Sequence, residues 1–355
     1  MAVTYTFPTN VELDIMTQEY VIEREKFIGD KILPFAEYGS QRVRWDEKDS
    51  ERGMTAPHNM KSDPTIDDRP GSVTREYEPI PFKESDVIKE DELLRARELG
   101  TLGGGINLDR TVAQTVRSRE DKTFIRAEWL RWKTLTGGFT ISENGVFVSE
   151  TFPVQHYYSV VGWNHPLTAI PLRDGNATKL MFRGTGASAK GAVEYMNQTT
   201  LNALLENGNQ NDIAGFRSQN FTNVNFSLTQ INTILTDRGL PTIEVYDEGW
   251  NNEDGDFETF IPDGISITIG KRPMGQVVGQ FAQTPSFHRI KAGLPAPGIF
   301  TILEVNGQGN RGSLTVDGEL LGSVANPNIK ITGGVYGGTF LWFPRSVIVK
   351  HVFTP

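Results

Sequence analysis

The chain has 355 residues, 37% of them hydrophobic and 22% charged, enough apolar material for one elaborated domain or two or three ordinary ones, and not the composition of a disordered or fibrous polymer. It has no cysteine and only five scattered histidines, which excludes disulfides, thiolate metal centres and cysteine nucleophiles and leaves few nitrogen ligands for a metal. Thirty-five Lys and Arg against 44 Asp and Glu give a formal charge of −9, an argument against a broad basic surface that grips phosphates.

No apolar run approaches the roughly 20 residues of a membrane helix, and MAVTYTFPTNVELD lacks the basic-then-apolar order of a secretion signal, so a soluble chain kept in the cytoplasm, with no membrane partner, is expected. Gly and Pro are spread along the sequence, which predicts many short elements and more strand than helix. Residues 1–38 pair an extended TYTFP with a helix candidate over Thr17 to Phe27, where Tyr20, Val21, Arg24 and Phe27 share a face and Pro34 stops the pattern. From about Gly39 to Glu90 charge and turn residues crowd together. Two short strand candidates, Arg42 to Trp45 and Val73 to Tyr77, flank a polar tip, which reads as a long two-stranded excursion unable to bury a core alone.

After GTLGGGIN comes the longest helical pattern, about 109–136, with Asn107 or Asp109 as N-cap and Gly137 as stop. Val112, Val116, Thr123, Ala127 and Leu130 fall near one face, with Arg117, Arg119, Glu120, Lys122 and Arg131 on the wet side. FTISENGVFVSETF predicts a hairpin turning at Asn144-Gly145. KGAVEYMN reads as a buried strand, QTTLNALLEN as a short helix, SLTQINTILTDRGLP as a helix from Ser227 to Gly239, and PTIEVYDE as a strand. Beyond FETFIPDGISITIG, short Val, Ile and Phe runs between turns predict a β-rich end, giving an α+β body.

Chemical motifs fail on spacing. GTGASAKG, Gly184 to Gly191, runs Lys190-Gly191 into a strand where a phosphate loop needs a helix. In DEGWNNEDGDFE, setting Gly255 at the sixth position of a calcium loop puts Trp250 at the first, so a solvated turn is the better reading. His156 and His165 have no third histidine near, and His58, His288 and His351 stand alone. There is no nucleophile elbow. No catalytic residue, metal site or cofactor site is assigned.

Several phrases in order resemble the tailed-phage major capsid proteins of the Hong Kong 97 fold, in particular the lambda-type major capsid protein E family. They are REKFIGDKILPFAEY, GWNHPLTAIPLRDGNATKLMFRGTGASAKGAVEYMNQTTLNALL, and SLTQINTILTDRGLPTIEVYDEGW followed by FIPDGISITIG. The likeness covers most of 15–285, and agreement across that length outweighs any single phrase.

It implies an N-terminal arm (1–38), an extended two-stranded loop (39–92), a peripheral domain with its spine helix (93–165), an axial domain (166–335) with a β elaboration at 285–335, and a return strand of the peripheral domain (336–355). It also implies hexamers and pentamers tiling an icosahedral shell around packaged double-stranded DNA, held without sequence-specific binding, in a virion assembled in a bacterial cytoplasm. The expected partners are other copies of the chain, with scaffold, portal and decoration proteins. Arg42, Arg44, Trp45, Arg52, Lys61, Arg69 and Arg75 are the expected intersubunit contacts, and loop and arm are expected to order on assembly because neither has a core of its own. The rival readings are an encapsulin-like cellular shell and, from another class, a β-rich carbohydrate-active enzyme with convergent carboxylates.

Overall fold

The computed structural model describes residues 4–6, 26–47, 73–89, 108–166, 168–206, 227–252, 254–291, 293–294, 297–305, 313–315 and 328–353. The helix candidate over Thr17 to Phe27, the N-cap candidate Asn107 and the loop tip lie outside them, apart from Lys26 and Phe27. In chain order the elements are β1 (Thr4–Thr6), α1 (Gly29–Ile32), β2 (Phe35–Glu37), β3 (Val43–Glu47), β4 (Val73–Tyr77), β5 (Ile80–Lys89) and the long α2 (Leu108–Leu135). Next come β6 (Gly138–Glu143), β7 (Val146–Thr151), β8 (Gln155–Tyr158), α3 (Pro171–Met181), β9 (Ser188–Met196), α4 (Gln198–Leu205) and α5 (Leu228–Asp237). The remainder is β10 (Thr242–Val245), β11 (Gly249–Asn251), β12 (Phe257–Thr259), β13 (Ile265–Lys271), β14 (Gly279–Gln283), α6 (Phe287–Lys291), β15 (Phe300–Val305), β16 (Ser313–Thr315), β17 (Asn328–Leu341) and β18 (Val347–His351).

Contacts divide the chain into two units, one made of 1–43, 77–128 and 281–338, the other of 44–76, 129–280 and 339–355. In the first, β17 is the central strand. β5 runs antiparallel to one of its edges, from Asn328↔Lys89 to Gly337↔Ile80, while β15 pairs antiparallel with the other. β14 and then β2, parallel to it, extend the sheet, with the Phe35 ring edge-on to Phe281 at 5.0 Å. Val112, Val116, Thr123, Ala127 and Leu130 of α2 are buried, as their helical spacing predicts.

For α2 the wet-side expectation is corrected at three residues. Glu120 and Arg131, assigned to its wet side, are buried, and the side chain of Arg119 is only 10% exposed. The cause for Arg119 is β5, whose Glu84 and Asp86 both receive its guanidinium, the Asp86 bond at 2.8 Å. β5 itself falls inside the segment read as loop. Its polar residues match those of α2, so no local apolar run announces it.

In the second unit the sheet runs β10-β9-β13-β18-β8. β10 is parallel to β9 and β8 to β18, while β13 is antiparallel to both its neighbours. Asn197 caps α4 by accepting the Thr200 N–H, and Ser227 with Gln230 forms a full capping box on α5. Gly239, with φ +64°, ends α5 where a side chain would be strained. Trp163, Met196, Leu201, Leu204, Ile231, Ile243 and Val352 form a core between sheet and helices. Trp132 of α2 is fully buried and stacks on Tyr246 at 5.0 Å. The predicted hairpin is β6–β7, with Asn144 and Gly145 both at positive φ.

β18 sits between β13 and β8 in one sheet with β9 and β10. The described part of 285–335 belongs to the first unit.

Candidate assembly surfaces

Of the seven expected contact residues, four are described. Arg52, Lys61 and Arg69 lie outside the described residues. β3 and β4 pair as the stem of the excursion, and the pleat alternates its side chains. Trp45 therefore turns inward, 5% exposed, with its ring 5.3 Å from that of Phe340.

Arg44 and Asp46 face out, Glu47 shares the Trp45 face at 12% exposure, and the charges are matched across the stem. Arg44 donates to Glu76 at 2.7 and 3.0 Å, Arg75 pairs with Glu47, and Thr74 donates to Asp46 at 2.7 Å. Arg42, on the exposed approach to β3, donates its backbone N–H to Ser40 at 3.1 Å. Glu150 has its carboxyl pushed above the usual range by burial, opposed by the charge of Arg75. The structure thus brings Arg44, Trp45 and Arg75 together and engages all three within the chain.

Beside the stem is a cleft of about 650 Å³ lined by Arg44, Trp45, Asp46, Gly275, Gln276, Val277, Trp342 and Phe343. At its lip Met274 is 99% exposed and holds φ +58°, an uncommon conformation for a residue with a side chain. Arg272 lies over the Phe343 ring at 3.4 Å and donates to Ser346 at 2.9 Å and the Thr185 carbonyl at 3.4 Å. Burial pushes its guanidinium below its usual range. These contacts draw the turns before β9, after β13 and before β18 together, and Arg183 and Arg345 in the turns, with Lys190 at the start of β9 and Lys271 at the end of β13, are exposed there. The sequence reading missed Met274. The signal was RPMGQ, in which a large apolar residue inside a Pro-Gly turn has no face to bury.

The acidic segment after β10 is a hairpin. Trp250 anchors one face, stacked on Phe260 at 5.5 Å and edge-on to Trp129 at 6.5 Å. The opposite face holds Phe257, 59% exposed, while its sequence neighbours Asp256 and Glu258, also exposed, alternate to the Trp250 face. Gly249 is needed there, since an added Cβ would lie 2.0 Å from the Glu258 carbonyl oxygen.

The histidines also meet. β8 lies parallel to β18, with Val349 opposite His156, which brings His156 Nδ1 to 3.2 Å from His351 Nε2 although 195 residues separate them. Tyr158 stacks on His351 with ring centroids 4.4 Å apart. Desolvation, then the charge of His156, pushes the His351 imidazole below its usual pKa. Among the described residues no group of three or more His, Asp or Glu is placed to hold a metal, and no helix is long and apolar enough to cross a membrane.

Comparison with solved structures gives the same architecture in two phage proteins. A prophage protein of E. coli CFT073, assigned as its capsid protein, matches 99% of this chain and 100% of its own, at 12% identity and a TM-score of 0.59. A phage-related protein of Bordetella bronchiseptica RB50 matches 97% of each chain, at 12% identity and a TM-score of 0.52. No curated protein matches by sequence. These likenesses carry the α+β Hong Kong 97-type fold. The profile of the family described as phage major capsid protein E matches residues 17–282, through the loop stem, the long helix and the sheet up to β14. The chain belongs to the phage major capsid protein E family.

Proposed function

We propose that this major capsid protein forms hexamers and pentamers that close into an icosahedral phage head around packaged double-stranded DNA, and that it serves as a wall rather than an enzyme. The observation that carries this reading is the family match over 17–282. On it, residues 1–38 and 39–92 are the arm and loop lent to neighbours, the long helix is the spine of the peripheral portion, and the sheet around β9 and β13 belongs to the axial portion. Arg42, Arg44, Arg52, Lys61, Arg69 and Arg75 then bear on neighbouring copies, with Trp45 fixing the stem from which they project. A charge of −9 suits a container whose contents slide against the wall without sequence-specific grip. Scaffold, portal and decoration proteins are the further partners, and assembly takes place in the cytoplasm of the bacterial host.

Negative-stain microscopy of the purified chain tests the reading. Rings or closed shells are expected, whereas a compact monomer at every accessible concentration overturns it. Deleting residues 47–69 is expected to leave the helix content of the body unchanged by circular dichroism and to abolish shells. Shells formed by the deletion would remove the loop from assembly.

A further inference from the structure

We propose that the β11–β12 hairpin of one copy docks into the cleft beside β3 of a second copy, with Phe257 as the apolar plug and Asp256 and Glu258 against the basic rim of that cleft. The inference rests on the capsid reading and names one contact within it.

The two surfaces complement each other in both shape and charge. The cleft offers Trp45, Val277, Trp342 and Phe343 as apolar lining. Its volume of about 650 Å³ is ample for an aromatic ring with its flanks, since pockets that enclose small ligands run to roughly 300–1,000 Å³. Met274 at the lip is almost wholly exposed in a sparsely populated backbone conformation, of the kind that clusters at ligand clamps and other functional sites.

The segments 183–191, 270–278 and 342–346, which join the start of β9, the end of β13 and the approach to β18, contain Arg183, Lys190, Lys271, Arg272 and Arg345 and no carboxylate at all. In a chain of net charge −9 this is a local reversal of sign. The stem wall adds Arg44 and Asp46, both already engaged, with Glu76 and Thr74 respectively. The hairpin carries the opposite charge. Asp254, Asp256 and Glu258 are exposed along the same short ribbon as Phe257, Asp256 and Glu258 on its other face, where Glu258 accepts from Asn252 at 3.1 Å, and no cation lies between Asp247 and Glu258.

Cleft and hairpin belong to the same compact unit but are different surfaces. Each copy therefore gives a hairpin to one neighbour and receives one from another. A heterologous contact of this kind generates rings when its rotation closes. The charges steer the approach and reject wrong registers, while the desolvated aromatic and Met274 supply the anchor.

Charge reversal tests the contact in the full chain, by sedimentation velocity and negative stain at fixed low salt. Lys271→Glu with Arg345→Glu makes the rim acidic, and Asp256→Lys with Glu258→Lys makes the hairpin basic. Each double variant alone is expected to raise the concentration needed for assembly by roughly a hundredfold or more, because like charges then face each other. The chain carrying all four substitutions is expected to recover assembly. So is an equimolar mixture of the two double variants, which can alternate around even-numbered rings and not around odd-numbered ones.

Should a reversal disturb folding by circular dichroism, Phe257→Ser and Met274→Ser remove the anchors at exposed positions and are expected to weaken assembly in the same direction. Wild-type assembly by both double variants, or failure of both the four-fold swap and the mixture to recover it, overturns the contact and leaves the capsid reading intact. So does retention of duplex DNA by the wild-type protein that is lost in the rim variant while assembly persists, since the rim would then face phosphate. A wild-type chain that never associates overturns the capsid reading itself.

Discussion

Lys350 of β18 and Glu194 of β9 form an ion pair inside the five-stranded sheet, reaching across β13, whose Ser266 donates to the same carboxylate at 2.7 Å. Lys350 is 1% exposed, and its ammonium lies 5.7 Å from the Trp163 ring centroid. A buried pair of this kind is worth little over a well-packed apolar pair, but half of it is costly because the remaining charge has no water. Lys350→Met alone is expected to cost about 3–5 kcal/mol in urea unfolding, whereas Lys350→Met with Glu194→Leu recovers most of that. Additive losses in the double variant would show that the two charges do not depend on each other.

Asp174 near the start of α3 gathers three donors from the segment following β7. Tyr157 donates at 2.8 Å, the Trp163 indole at 2.9 Å, and Ser159 also donates. Asp174→Ala leaves all three without their acceptor in a site that is 4% exposed, and a loss of about 3 kcal/mol or more is expected. Burial, then the Asp174 bond and charge, pushes the Tyr157 phenol up to about 12. The unfolded phenol ionises near 10, so between about 10 and 12 the native state holds the extra proton and stability falls as pH rises. In Asp174→Asn the Tyr157 transition, followed by phenolate absorbance, is expected to move to lower pH.

Much of the body could be read locally. The Asn144-Gly145 turn, the Ser227 capping box and the Gly239 stop are written within a few residues of where they act. Ala127 was placed on the packed face by spacing alone and is 1% exposed. Ala127→Asp is accordingly expected to collapse soluble yield, at a cost of several kcal/mol. Unchanged melting of that variant would contradict the burial.

What escaped the sequence depends on partners far along the chain. β5 reads as a charged loop because Glu84 and Asp86 look solvated until Arg119 and Lys122 come over them, and because its strand partner begins at Asn328. The contact of His156 with His351 follows only from the parallel register of β8 and β18. Met274 and Phe257 were passed over because both sit in segments that local rules label as turns.

His351 sets a weak acid limit on stability. Its pKa is pushed below the ordinary 6.5, so in the window just below that value the unfolded chain binds the extra proton. Its contribution is complete above about 6.5 and is lost as pH falls through the depressed native value. His351→Gln is expected to flatten the pH dependence of melting in that window. NMR titration of the wild-type imidazole should show the lowered value, and its return toward 6.5 in His156→Gln, since the charge of His156 is one of its causes.

Gly29, at the start of α1, is fixed by Glu128. The Gly29 N–H donates to the Glu128 carboxylate at 2.8 Å, and that side chain, 99 residues away in α2, is fully buried. A Cβ at Gly29 would lie 2.5 to 2.7 Å from the carboxyl group, closer than atoms approach, and a buried carboxylate cannot swing out as an exposed one would. Gly29→Ala is therefore expected to lower stability by about 1–3 kcal/mol through overpacking, although alanine is the better helix former. Trimming the opposing residue discriminates the cause. Glu128→Ala removes the clash but leaves the Gly29 N–H unpaired, so Gly29→Ala should cost much less in that background than in the wild type. An equal cost in both backgrounds would place the penalty in the backbone of Gly29 rather than in its contact with Glu128.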